Sequence, residues 1–159
     1  MIEPKEKFWN ALIGSGVILL LVVGFASRLL GVEPVAYLEI SEVEVIDGDT
    51  IKAVVHLGGG VNLDKQSIRA VNYDAWESRR FRRSKPFSSF TDQQWEAEVI
   101  KGKVATNAVS ELIASGKLFV VLESKRDTYG RLLGRFYVYR NGNLFGVADE
   151  LKRGGHTRR

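Results

Sequence analysis

Apolar residues recur along the chain in three rhythms, each predicting a different kind of element. Residues 8–27, FWNALIGSGVILLLVVGFAS, run for twenty residues without a charge, close to the roughly 20 that a helix needs to cross a bilayer. The leading Phe-Trp, the glycines and the terminal position mark a targeting segment rather than a core helix. Residues 37–46, YLEISEVEVI, alternate apolar and polar at period two, as a strand with one buried face does. Leu38, Ile40, Val43 and Val45 form that face, and a change of phase near Ser41 predicts a bulge. Residues 50–57 and 66–73 are further β-rich runs on either side of Gly58, Gly59 and Gly60, so a three-stranded meander is expected. Ala105, Ala108, Val109, Leu112 and Ile113 then recur at spacings of three and four, predicting a helix with Gly116 as its C′ residue. Whether residues 94–101 join that helix turns on Gly102, a poor helix former. Two more β runs cover 118–122 and 133–139, Asn141-Gly142 marks a turn, and a last helix is expected over 144–152 before Gly154 and Gly155.

The order β-β-β-α-β-β-α predicts a mainly β, α+β domain. Its expected form is a five-stranded barrel of the oligonucleotide-binding-fold (OB-fold) kind with two helices, preceded by the N-terminal transmembrane helix. A split α+β sandwich is the alternative. Residues 1–31 are expected to be a cytoplasmic stub with a membrane anchor or signal, 32–36 a linker around Pro34, and 37–159 the folded domain. Lys5 and Lys7 precede the span, which puts the N-terminus inside and the domain outside the cytoplasm, periplasmic or extracellular. Gly24 and Ala26 offer the small residues of a signal cleavage site, and cutting after Ala26 would make the domain a secreted one.

Length and composition narrow the chemistry. A chain of 159 residues, 45% hydrophobic, is long enough for one domain with its own core. The net charge is +4, and removing residues 1–31 takes away Lys5, Lys7 and Arg28 against Glu3 and Glu6, leaving 20 basic and 17 acidic residues. That balance is compatible with a polyanionic partner. The absence of cysteine excludes a disulfide framework and a thiolate metal site. Any metal must be held by oxygens or by His56 and His156, which favours hard cations such as calcium or magnesium. The histidines neighbour no carboxylate cluster in sequence and are expected to take no part.

Polar clusters stand at the strand ends: Asp47 with Asp49, Arg69, Asp74 with Glu77, and Arg126, Asp127, Tyr129, Gly130 and Arg131. A turn explains Asp47 and Gly48, since Asp-Gly suits a two-residue hairpin with Gly at positive φ. It does not explain Asp49, which opens the next strand, where Asp is disfavoured.

Taken in order, these clusters resemble the thermonuclease family, the staphylococcal-nuclease-like (SNase-like) calcium-dependent endonucleases, over about residues 42–154. The family's I-D-G-D-T motif matches Ile46 to Thr50, its R-x-x-x-x-D-x-P-E motif matches Arg69 to Glu77, and its Y-G-R motif matches Tyr129-Gly130-Arg131. The resemblance implies that Asp49, Asp74 and the backbone carbonyl of Ala75 hold Ca²⁺. It likewise implies that Glu77 is the general base for an attacking water and that Arg69 and Arg131 grip the scissile phosphate. Tyr129 would stack on or hydrogen-bond to the substrate, or else pack at the barrel rim. Such an enzyme hydrolyses DNA and RNA with little base specificity, and no protein partner is expected. Two positions depart from the family: Trp76 stands where proline is usual, and Thr128 where some members carry lysine.

The segment from 78 to 92 carries Arg79, Arg80, Arg82, Arg83 and Lys85 directly after Glu77. It is expected to bind substrate as a phosphate-tracking loop, with Phe81, Phe87 and Phe90 as stacking surfaces. Two other functions fit the same residues. One is a catalytically inactive SNase-like nucleic-acid-binding module tethered to the membrane; the other is an adaptor whose basic loop meets anionic lipid headgroups.

Overall fold

The computed structural model describes residues 35–79 and 90–158. The residues from Ala36 onward pack as one compact unit. Six strands and two helices follow in the order β1 (Leu38–Val45), β2 (Thr50–Gly58), β3 (Val61–Ala70), α1 (Asp92–Ala114), β4 (Lys117–Arg126), β5 (Leu132–Arg140), β6 (Asn143–Gly146) and α2 (Val147–Arg153). The sheet runs β3-β2-β1-β4-β5-β6, and a further pairing of β3 with β5 closes the first five strands into a barrel. That closing pair is parallel, with Ile68 opposite Leu132, Arg69 opposite Leu133 and Ala70 opposite Gly134, whereas the other pairs are antiparallel. The fold is an OB-like α+β barrel, and closure leaves few open strand edges.

The expected bulge lies where the phase changes. Register breaks between Ser41 and Glu44, with Glu42 at φ 50°, so β1 coils around the barrel while its apolar side stays inward. Ile51, Val55, Ile68, Val120 and Val138 fill the interior, and Val147 and Leu151 of α2 are buried in the same cluster. Each such side chain contributes about 1.5–3 kcal/mol by leaving water.

Helix α1 is longer than the periodicity of 105–113 suggests. It starts from a capping box in which the Gln94 N–H donates to Thr91 Oγ1 and the Thr91 N–H to Gln94 Oε1, and it runs unbroken through Gly102. Trp95, Glu98, Gly102, Ala105 and Val109 form its buried side. Gly116 is not a left-handed C′ residue. A Cβ there would stand 2.3 Å from the Tyr139 carbonyl oxygen, so the glycine is required by its close approach to β5.

The last helix also starts later than expected, because residues 143–146 form β6. Asn141 at φ 50° and Gly142 at φ 77° make a two-residue hairpin turn that pairs Arg140 with Asn143, and a strand must follow such a turn. The predicted span at residues 8–27 lies outside the described residues; among those described, no helix is long and apolar enough to cross a membrane.

Candidate functional site

Three segments meet at one end of the barrel: the β1–β2 turn, the loop that follows β3, and α1. Their approach is set by small residues. A Cβ on Gly48 would lie 2.6 Å from Ala75 Cβ and 3.1 Å from Ala105 Cβ, and one on Gly102 would lie 2.1 Å from the Glu77 carbonyl oxygen. Gly48 does not take the positive φ expected of it. The connection is longer than two residues, and glycine stands there because the loop and α1 press against it.

Asp47 is the turn former. Its Oδ1 accepts the Asp49 N–H at 3.1 Å, while the N–H groups of Ile46 and Asp47 donate to the Thr50 carbonyl. Thr50 pairs with Arg69, so Asp49 lies at the end of the β2–β3 ladder beside that arginine. Only 5% of Asp49 is exposed. Its Oδ1 accepts from Thr50 Oγ1 at 2.9 Å and from Arg69 Nη1 at 2.8 Å, and its Oδ2 accepts the Ala75 N–H at 3.4 Å. Burial raises the Asp49 carboxyl, Arg69 lowers it and Asp47 raises it again; burial wins, and the group is pushed up to about 7.

Arg69 bridges two carboxylates. Its Nη2 donates to Asp74 Oδ1 at 2.8 Å, matching the bond from Nη1 to Asp49, and the side chain remains about a third exposed. A planar guanidinium spans both acids where a lysine would reach one. The other Asp74 oxygen faces Arg158 Nη1 at 3.5 Å. Beyond Ala75, Trp76 has Lys101 Nζ 4.3 Å from its ring centroid and Arg158 Cζ 5.5 Å from it. The Glu77 N–H donates to Glu98 Oε1 at 3.1 Å, and among the described residues nothing hydrogen-bonds or ion-pairs with the Glu77 carboxylate. Burial raises that carboxyl, Asp47 and Asp74 add to the rise, and Arg158 and Arg69 oppose it.

Arg131 stands apart from this group. In the β3–β5 register the partner of Arg69 is Leu133, two residues beyond Arg131, and the Arg131 Nε donates to Asp127 Oδ2 at 2.7 Å. Asp127 organises the whole turn, accepting the N–H groups of Tyr129 and Arg131 on Oδ1. Desolvation works against the Asp127 carboxylate, but these bonds hold it below its ordinary range. Tyr129 is 83% exposed, with the Arg131 guanidinium 5.3 Å from its ring centroid, so it does not pack at the barrel rim.

Of the residues singled out by sequence, Asp49, Arg69, Asp74 and Ala75 are in direct contact, Glu77 lies within their electrostatic reach, and Arg131 and Tyr129 share the neighbouring turn. Arg79 is exposed at the end of a described segment; Arg80, Arg82 and Arg83, with Phe81 and Phe87, lie outside the described residues. Phe90 packs edge-on to Trp95, with ring centroids 5.5 Å apart, instead of offering a free stacking surface. The ring nitrogens of His56 bond to Ser41 and Asn62, a structural role. Sequence reasoning missed Glu98 and Arg158. Glu98 was detectable as a charge on the buried side of α1, whereas Arg158 in the basic tail carries no such signal.

Among the described residues, no three histidine, cysteine, aspartate or glutamate side chains converge as a metal cage. The hard-oxygen donors that Arg69 joins are Asp49 and Asp74, whose carboxylates here face Arg69, Arg158 and the Ala75 N–H. Asp49 and Asp74 supply carboxylate oxygens, and burial is the main cause of the raised Asp49 and Glu77 carboxyls, with Asp47 adding to both. No protein-family model matches the chain, and no curated sequence registers as a relative of it.

Proposed function

We propose that the chain is a calcium-dependent endonuclease of the thermonuclease kind, hydrolysing phosphodiester bonds in DNA and RNA with little sequence preference. The observation that carries this reading is the convergence of Asp49, Arg69 and Asp74 at one barrel end, with the Glu77 carboxylate unpartnered among the described residues and within charge range. Asp49, Asp74 and the Ala75 carbonyl would hold Ca²⁺, which would supply charge neutralisation at a phosphoryl oxygen. Glu77, raised by burial, is a stronger base than an ordinary carboxylate. It takes a proton from water as the water oxygen bonds to phosphorus and the P–O bond to the leaving sugar oxygen breaks; solvent protonates that oxygen. Arg131 binds Asp127 through Nε, which leaves its terminal nitrogens to meet the equatorial oxygens, and Arg69 faces the same charge from the Asp49–Asp74 side. With residues 8–27 as an anchor, the domain works outside the cytoplasm, where calcium is abundant enough for a weak site.

The test is digestion of plasmid DNA and of RNA with Ca²⁺ or with chelator, alongside Glu77→Gln and Arg131→Ala. Calcium-dependent cutting that falls by about 10²-fold or more in Glu77→Gln is expected. Cutting that survives chelator and both substitutions overturns the reading. Tight, salt-sensitive binding without cutting selects the inactive binding module, which the carboxylate pairing of both arginines favours.

A further inference from the structure

The loop after β3 carries Asp74 and Glu77, yet nothing in its own backbone stiffens it. Residues 71–79 contain no proline, and apart from the single bridge at Ala75 they form no strand or helix. The loop is held from two sides. On one side are α1 and its Gly102, Glu98 and Lys101. On the other is the segment 156–158, which runs antiparallel to the loop: Ala75 bridges Thr157, and the Arg158 N–H donates to the Asp74 carbonyl at 2.7 Å.

We infer that Arg158 is a positioning residue of this site, fixing Asp74 and Glu77 by joining the loop to α1. Its guanidinium meets three described side chains at once. Nη1 lies 3.5 Å from Asp74 Oδ2, Nη2 bonds Glu98 Oε1, and Cζ sits over the Trp76 ring. The Glu98 oxygen it holds is the one that accepts the Glu77 N–H, so Arg158 sets the height of Glu77 through an intermediate carboxylate. Glu98 is 5% exposed, and removing one partner of so buried an ion pair leaves the other uncompensated, so loss of the Arg158 guanidinium disturbs the carboxylate that holds the Glu77 N–H. Trp76 completes the arrangement as a flat surface with a cation within range from α1 and another from the tail. Its large ring therefore anchors the loop by tertiary contact. The segment 156–158 is thereby part of the site and not a passive tail. The consequence for activity rests on the nuclease reading of Glu77; the consequence for the loop does not.

The experiment compares the full chain with Arg158→Ala and Arg158→Lys by amide hydrogen exchange and, separately, by steady-state cleavage of a DNA oligonucleotide at saturating Ca²⁺. Arg158→Ala is expected to speed exchange at the Trp76 and Glu77 amides by about tenfold or more while the centre of α1 keeps its protection. It should lower kcat by roughly tenfold with KM little changed, because substrate is not what Arg158 touches. Arg158→Lys keeps the charge over Trp76 but loses the fork between Asp74 and Glu98, so it should recover part of both effects. Unchanged exchange at 75–77 in both variants overturns the inference whether or not the chain cuts DNA. A raised KM with kcat preserved also overturns it, by making Arg158 a substrate contact. A wild type that cuts nothing, yet shows faster loop exchange in Arg158→Ala, sinks the nuclease reading and leaves the loop clamp standing.

Discussion

Replacing Gly102 by alanine sets two effects of opposite sign against each other in one methyl group. Gly102 lies in the interior of α1, where alanine is favoured over glycine by about 1 kcal/mol. If helix propensity were the whole account, Gly102→Ala would stabilise the protein by that amount. The Glu77–Ser78 peptide, however, lies against this glycine. A Cβ would stand 2.1 Å from the Glu77 oxygen, 2.2 Å from its carbonyl carbon and 2.5 Å from the Ser78 nitrogen, all main-chain atoms that cannot swing aside as a flexible side chain does. The loop must withdraw by on the order of 1 Å to reach ordinary contact. Overpacking of this kind costs about 1–3 kcal/mol. The withdrawal also stretches the 3.1 Å bond from the Glu77 N–H to Glu98, a bond to a charged acceptor worth roughly 1.5–3 kcal/mol. Set against the propensity gain, a net loss of about 2 kcal/mol is expected. Urea unfolding of the wild type, Gly102→Ala and the control Ser110→Ala measures it; Ser110 lies on the exposed side of the same helix and reports propensity without the clash. A Gly102→Ala protein more stable than the wild type would refute the close approach of loop and helix.

Further measurements probe the charges and the closure of the barrel. Asp49 stands at about 7 against an ordinary 3.8, so between those values the fold binds more protons than the unfolded chain; the stability this group contributes is complete below the lower value and lost as pH rises through the higher one. Asp49→Asn, neutral throughout, should gain on the wild type between about pH 4 and 8, by up to roughly 4 kcal/mol, and a difference flat with pH in urea titrations contradicts this. The Asp127 carboxyl has the opposite sign: held low, it contributes stability above the ordinary value of 3.8 that is lost as pH falls further. Asp127→Ala should release the Tyr129 and Arg131 amides to faster exchange, and unchanged protection there rules out the turn-organising role. Ile68 is fully buried where β3 meets β5, so Ile68→Ala should cost about 2–5 kcal/mol in urea unfolding; a loss under about 1 kcal/mol would mean that the barrel is not closed there.

Local rules were enough to read much of this protein from its sequence. Period-two alternation located β1, its phase change located the bulge, and the three-four spacing of Ala105, Ala108, Val109 and Leu112 located α1. Asp49, Arg69, Asp74 and Glu77 were legible as polar residues at strand ends, where packing gives no reason for them. What local rules could not reach depends on which segments come together. Gly48, Gly102 and Gly116 each look like conformational glycines, yet each is required by a neighbour distant in sequence: Ala75 and Ala105, the Glu77–Ser78 peptide, and Tyr139. The parallel β3–β5 pairing, which sets Leu133, two residues past Arg131, opposite Arg69, exists only once the barrel closes. Glu98 and Arg158 are separated by 60 residues and become partners because the loop after β3 lies between α1 and the final segment. Periodicity and turn chemistry act over a few residues and are written in composition. Partnership between distant charges, and contact too close for a side chain, are decided by the path of the backbone, and that path belongs to the tertiary structure.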